Sequence, residues 1–127
     1  DSRLGNVLFE NFQVKSLLDW EMATIGDPLC DLAWGLTTDD VSSYGLNIEK
    51  LPGSISNAEA IKFWEIKTGY SADNFFYYRI LCLFKFSVIM IRVAKKLIHN
   101  EIMPLDSDFH VNNHVSNYLR QEFNEKN

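Results

Sequence analysis

The sequence predicts an α+β fold that is mainly α, a small β-hairpin followed by a helical body. Three observations predict it. Two short β-prone runs lie near the N-terminus, helix start and stop signals bracket residues 56–69, and a long apolar stretch runs over residues 75–94. No internal repeat or low-complexity segment interrupts the chain, so residues 1–127 are expected to form a single domain.

The elements follow in order. Residues 1–6 are expected to be a loop. Val7–Phe9 and Val14–Leu18 are short, β-prone runs separated by Glu10-Asn11-Phe12-Gln13, which predicts a hairpin. Asp27-Pro28 is a helix start, with the acid as cap and proline in the first turn, and Leu29, Leu32, Ala33 and Leu36 follow at helical spacing. Residues 37–55 are rich in Thr, Ser, Asp and Gly and contain Pro52-Gly53, which predicts a loop. Ser56 and Glu59 have capping-box spacing, so a helix should begin there and run to Thr68, with Gly69 ending it. Asp73 is the expected cap of the next helix, which reaches about His99. Its apolar positions wrap most of the circumference and leave a polar strip at Lys85, Arg92 and Lys96, the pattern of a central core helix. After Pro104, the residues Val111, Val115, Tyr118, Leu119 and Phe123 mark one face of a last helix.

Composition excludes several classes of function. A formal charge of -5 offers no attraction to nucleic acid or to an anionic membrane, so neither is expected as a partner. Acid gathers at the front: residues 1–40 sum to -6, and the remainder to +1. The apolar stretch over 75–94 carries Arg79, Lys85 and Arg92, each costing roughly 2.5–3.5 kcal/mol near a bilayer centre, so it reads as a buried helix and not a span. Cys30 and Cys82 sit among apolar residues and read as buried free thiols. No CxxC or Cys/His zinc pattern and no secretory signal is present, and a reduced, cytoplasmic setting is expected.

The informative segment is Asp1-Ser2-Arg3-Leu4-Gly5-Asn6, with Asp19 thirteen residues further on in Leu17-Leu18-Asp19-Trp20-Glu21. Phosphoryl transfer from ATP needs a carboxylate to orient an attacking hydroxyl and accept its proton. It also needs oxygen ligands for magnesium and a cation on the moving phosphoryl group. Kinase catalytic loops supply these as an Asp, an Asn five positions on, and another Asp after a short strand. Asp1, Asn6 and Asp19 have that spacing. On this reading Asp1 is the catalytic base and Asn6 and Asp19 bind magnesium and, through it, the nucleotide. Arg3 meets the γ-phosphate, and Glu21 either reaches the metal, orients substrate or pairs locally.

The same residues resemble a known family. Asp1-Ser2-Arg3-Leu4-Gly5-Asn6-Val7-Leu8-Phe9, and Leu18-Asp19-Trp20-Glu21 continuing through Gly26-Asp27-Pro28-Leu29-Cys30-Asp31-Leu32-Ala33-Trp34, look like the core of the aminoglycoside phosphotransferases. Within that family they resemble the branch of kinase-like domains fused to acyl-CoA dehydrogenases, and the likeness extends through Phe84-Lys85 to about residue 98. The resemblance implies the C-terminal lobe of a protein-kinase-like fold, with magnesium as cofactor and ATP as co-substrate. It also implies transfer of phosphate to a hydroxyl group of a small molecule. The family motif is His-Gly-Asp-x-Arg-x-x-Asn, and this sequence starts at its Asp. The expectation is therefore a fragment without the nucleotide-gripping lobe, inactive alone, that pairs with that lobe or with itself through exposed apolar surface. The alternative is a truncated or degenerate, non-catalytic binding or scaffold module. A protein kinase acting on Ser/Thr is disfavoured, because Asp19-Trp20-Glu21 stands where Asp-Phe-Gly would and no Ala-Pro-Glu follows.

Other candidates have plainer readings. Asp27 is expected to cap a helix, and Asp31 resembles the family's acid that braces the catalytic loop. His110 and His114 have metal-compatible spacing, but no Glu follows His110 and neither His99 nor any other residue offers a third ligand, so a solvated helix face is expected. Trp34, Trp64, Phe75, Phe76, Tyr77 and Tyr78 are expected to lie mostly in the core.

Overall fold

The computed structural model describes residues 3–125. A short 3-10 turn, Leu4–Asn6, leads into strand β1 (Val7–Glu10), which pairs antiparallel with β2 (Gln13–Leu17). A second 3-10 turn, Trp20–Met22, precedes four helices: α1 (Leu29–Tyr44), α2 (Asn57–Thr68), α3 (Phe75–His99) and α4 (His114–Asn124). The expected hairpin and mainly helical body are present.

The hairpin closes more tightly than the sequence suggests. Glu10 pairs with Gln13, so only Asn11 and Phe12 form the turn, with φ of 49° and 61°. Two positive φ values make the reversal whose twist matches the strands. Asn tolerates that conformation; Phe12 adopts it while fully exposed. A bulge between Leu8 and Phe9 shifts the register, so Leu8 faces Ser16 and Phe9 faces Val14.

Helix α1 runs eight residues beyond Leu36, through what its composition marks as loop. The hydroxyls explain the difference. Thr38 Oγ1 donates to the Trp34 carbonyl at 2.8 Å and Ser42 Oγ to the Thr38 carbonyl at 2.8 Å, so these two hydroxyls, of a kind that usually competes with the helix, are satisfied inside it. The inward face is Leu29, Ala33, Thr37, Asp40 and Val41, at helical spacing. The helix ends where Gly45 passes so close to α4 that an added Cβ would lie 3.2 Å from that of His114 and 2.5 Å from the Val41 carbonyl oxygen.

The capping box at α2 forms as read. Glu59 N–H donates to Ser56 Oγ at 3.2 Å, Ser56 N–H donates to Glu59 Oε2 at 2.8 Å, and Gly69 ends the helix at φ 74°. At α3 the cap differs, for Asn74 occupies that position with no side-chain bond, and Asp73 instead directs its N–H to Ser71 Oγ. Only one stripe of α3 is buried, formed by Arg79, Cys82, Leu83, Met90 and Ala94. Phe84, Val88, Ile89, Ile91 and Val93 remain exposed. The all-round core helix is thus not what forms, because α1 and α4 cover one side of it and the apolar residues on the other side stay in solvent. No helix among the described residues is long and apolar enough to cross a membrane.

The core is where α1, α3 and α4 meet. Val41, Leu83, Met90 and Val115 are buried together, flanked by Phe86, Phe109, Tyr118 and Leu119. In α4, Asn113 caps by accepting from Ser116 N–H at 3.0 Å. Val111 precedes this helix and Phe123 is exposed, so the expected apolar face narrows to Val115, Tyr118 and Leu119. The aromatic expectation also needs correcting: Trp34, Trp64, Phe75, Phe76 and Tyr78 are only half-buried, and Tyr77 is exposed and packs edge-on against Tyr78 at 5.2 Å.

Candidate functional site

The open end of the hairpin gathers the residues singled out by spacing. Val7 pairs with Leu17, and Leu18 N–H donates to the Asn6 carbonyl at 2.8 Å. That bond extends the ladder one step past the strands and brings the backbone of position 6 beside that of position 18. Asn6 ends its 3-10 turn and is half-buried. Asp19, the next residue after Leu18, has φ 64° and ψ 56°. This left-handed conformation is one that Asp adopts more readily than most residues. It turns the chain sharply out of β2 and into Trp20–Met22.

Trp20 fastens the turn by donating its indole N–H to the Leu17 carbonyl at 2.7 Å, although the ring itself is exposed. Glu21 lies within the turn and is exposed. Arg3 precedes the first 3-10 turn in extended conformation, also exposed. Asp1 falls outside the described residues. The hairpin therefore brings the chain at Asn6 and Asp19 to one end, with Arg3 and Glu21 a few residues away along the sequence on either side.

Oxygen donors dominate this end: an amide at Asn6 and carboxylates at Asp19 and Glu21. That is hard-ligand chemistry, suited to magnesium more than to zinc or copper. Among the described residues no three His, Cys, Asp or Glu side chains come together as a metal cluster. His110 lies in a turn before α4 and His114 at its first residue, so they do not share a helix face.

Asp27 does act as a cap. Its Oδ1 accepts from Leu29 N–H at 2.9 Å, while Oδ2 accepts from the Tyr78 hydroxyl at 2.8 Å and ties the start of α1 to α3. The same bond holds the Tyr78 phenol above its usual pKa.

The polar centre that sequence reading missed lies in the helical body. Arg79 donates to Asp40 Oδ2 at 2.6 Å, to the Tyr118 hydroxyl at 2.7 Å and to Glu122 Oε1 at 2.6 Å. Asp40 also accepts from Lys50 Nζ at 2.8 Å and from Asn57 Nδ2 at 2.6 Å. Burial alone would raise the Asp40 pKa, but the bonds from Lys50, Arg79 and Asn57 outweigh it and hold the carboxyl below its ordinary value. Glu122 is held low chiefly by Arg79. Burial pushes the Tyr118 hydroxyl up to about 12. With every member paired, this network braces α1, α3, α4 and the 50–57 segment. Its signal in the sequence was Arg79, one of three cations in the apolar run, a residue that needs a buried acid if it is itself buried. That Arg served only to exclude a membrane span.

Comparison with known proteins agrees with the resemblance. Residues 1–54 match the model of the Phosphotransferase enzyme family. The match covers the hairpin, both 3-10 turns and all of α1.

Proposed function

We propose that this chain, whose residues 1–54 match the Phosphotransferase enzyme family, serves ATP-dependent transfer of phosphate to a hydroxyl of a small molecule, within a kinase-like C-terminal lobe. The observation that supports it best is the hairpin register. Leu18 N–H bonded to the Asn6 carbonyl puts Asn6 and Asp19 at one end of the strands, as a shared metal site requires.

In this reading the acceptor hydroxyl lies against the Asp1 carboxylate, which orients it and takes its proton as the oxygen attacks the γ-phosphorus. The new O–P bond forms as the bond to the bridging oxygen breaks, and ADP departs with that electron pair. Asn6 and Asp19 would hold magnesium, with Glu21 close enough in sequence to assist through a bound water. Magnesium, when bound, neutralises charge across the β- and γ-phosphates. Arg3 steadies the transferred group as a planar, permanently charged donor.

The test is phosphorylation of a panel of small hydroxyl compounds by the full open reading frame that encodes this chain. Asp1→Asn and Asp19→Asn should each abolish turnover with folding intact; undiminished turnover in both would remove the assignment. A second reading, a non-catalytic binding or scaffold module, draws on the exposed apolar residues of α3 and of the hairpin. Magnesium-ATP binding, followed through the fluorescence of exposed Trp20 with Trp20→Phe as control, separates the two, because a scaffold has no use for the nucleotide.

A further inference from the structure

Two contacts tie the start of α1 and the residues just before it to α3. Asp27 accepts the Tyr78 hydroxyl at 2.8 Å, and the rings of Trp34 and Phe86 lie 5.9 Å apart. The first contact joins residues 51 apart in sequence and the second joins residues 52 apart. Between these contacts residues 27–34 follow α3 from Tyr78 to Phe86; further along α1 that offset ends, and Asp40 meets Arg79. The rung between them falls on Cys30 and Cys82. Both cysteines are free thiols, Cys82 buried and Cys30 only partly so.

We propose that Cys30 and Cys82 form a redox pair, which a peroxide converts into a reversible disulfide fastening the first turn of α1 to α3. The two thiols have different parts. Cys82 is 1% exposed, and burial first, then the neighbouring Cys30, push its thiol up to about 11, so it stays protonated at neutral pH. Cys30 is the one a solvent-borne oxidant reaches. Its thiolate attacks one peroxide oxygen, the O–O bond breaks, and the departing hydroxide takes a proton to leave as water. The resulting Cys30 sulfenic acid faces Cys82 across the helix interface. The Cys82 sulfur attacks the Cys30 sulfur, the S–O bond breaks, and the hydroxide released combines with the Cys82 proton to give a second water. Two thiols lose two electrons and one peroxide gains them. A thiol reductant reverses the bond by exchange.

This inference is independent of the phosphotransferase reading, because it rests on the contacts between residues 27–34 and α3 alone. The experiment treats the purified chain with hydrogen peroxide, then alkylates remaining thiols under denaturing conditions and maps the peptides by mass spectrometry. The expected result is a monomer in which neither cysteine is alkylated, a linked peptide joins Cys30 to Cys82, and dithiothreitol restores both thiols. Closing a loop of this length should raise the thermal midpoint by roughly 10 °C. Cys30→Ser should leave Cys82 fully alkylatable after the same treatment. Sulfinic acid on Cys30 beside an intact Cys82 thiol would overturn the proposal, as would a dimer joined through Cys30. A linked monomer with a lowered midpoint would also overturn it, since the helices would then have to part to make the bond.

Discussion

The two ends of the molecule are built on opposite principles. From Arg3 to Pro28 no residue is buried, and the hairpin stands by its ladder, its two-residue turn and the Trp20 indole bond. From Leu29 to Glu122 the chain has an apolar centre and a saturated ionic network around Arg79. The residues read as chemical lie on the unsupported end, and the residues that give the fold its stability lie in the body. Exposed side chains such as Asp19 and Glu21 can be exchanged with little effect on folding, so the chemistry and the stability of this protein should respond to mutation separately.

Arg79→Ala is the strongest way to sharpen that contrast. It takes the guanidinium from the buried Asp40 carboxylate, leaving only Lys50 and Asn57 there, removes the ion-pair partner of Glu122, and should cost about 3–5 kcal/mol in denaturant unfolding. A loss below about 1 kcal/mol would mean the network is not what holds the helices.

Acid should attack the same place. Asp40 and Glu122 are held below their ordinary values by their hydrogen bonds, so the unfolded chain takes up protons at higher pH than the folded one. Their stabilisation is complete above the ordinary carboxylate range and is lost as pH falls through the lower folded values. Thermal midpoints measured from neutral pH down through that range should drop for the native chain and drop less for Arg79→Ala.

Ser56→Ala removes a cap from the exposed start of α2 and should cost about 1 kcal/mol. At the hairpin the sign reverses: Phe12→Gly relieves a left-handed aromatic and should gain up to about 1 kcal/mol in hairpin protection, read by amide exchange at Glu10 and Gln13. Smallest is Asp19→Asn, expected to change unfolding by no more than about 0.5 kcal/mol while abolishing turnover in the phosphorylation assay. An Asp19→Asn variant that unfolds would break the separation of the two ends.

Much of the fold was legible because it is written locally. Two β-prone runs with a turn, a Ser56–Glu59 pair and a glycine able to take positive φ each specify a short stretch of backbone by their own sterics and hydrogen bonds. The Asp1, Asn6 and Asp19 spacing is local in the same sense, since a hairpin of that length can hardly avoid bringing positions 6 and 19 to one end. Residues 37–44 were illegible for the opposite reason. Their Thr, Ser and Asp content favours a loop until Trp34 and Thr38 carbonyls accept the hydroxyls and Arg79, from 39 residues away, pairs with Asp40.

The sequence by itself determined the order of elements, the hairpin, the caps of α2 and the meeting of Asn6 and Asp19 at one end of the strands, because each depends on neighbours within a few positions. Tertiary structure alone decided how far α1 extends, which stripe of α3 is buried, and that Arg79 has acids to meet. Burial and ion pairing depend on what the chain brings alongside from a distance, and no window of sequence contains that information.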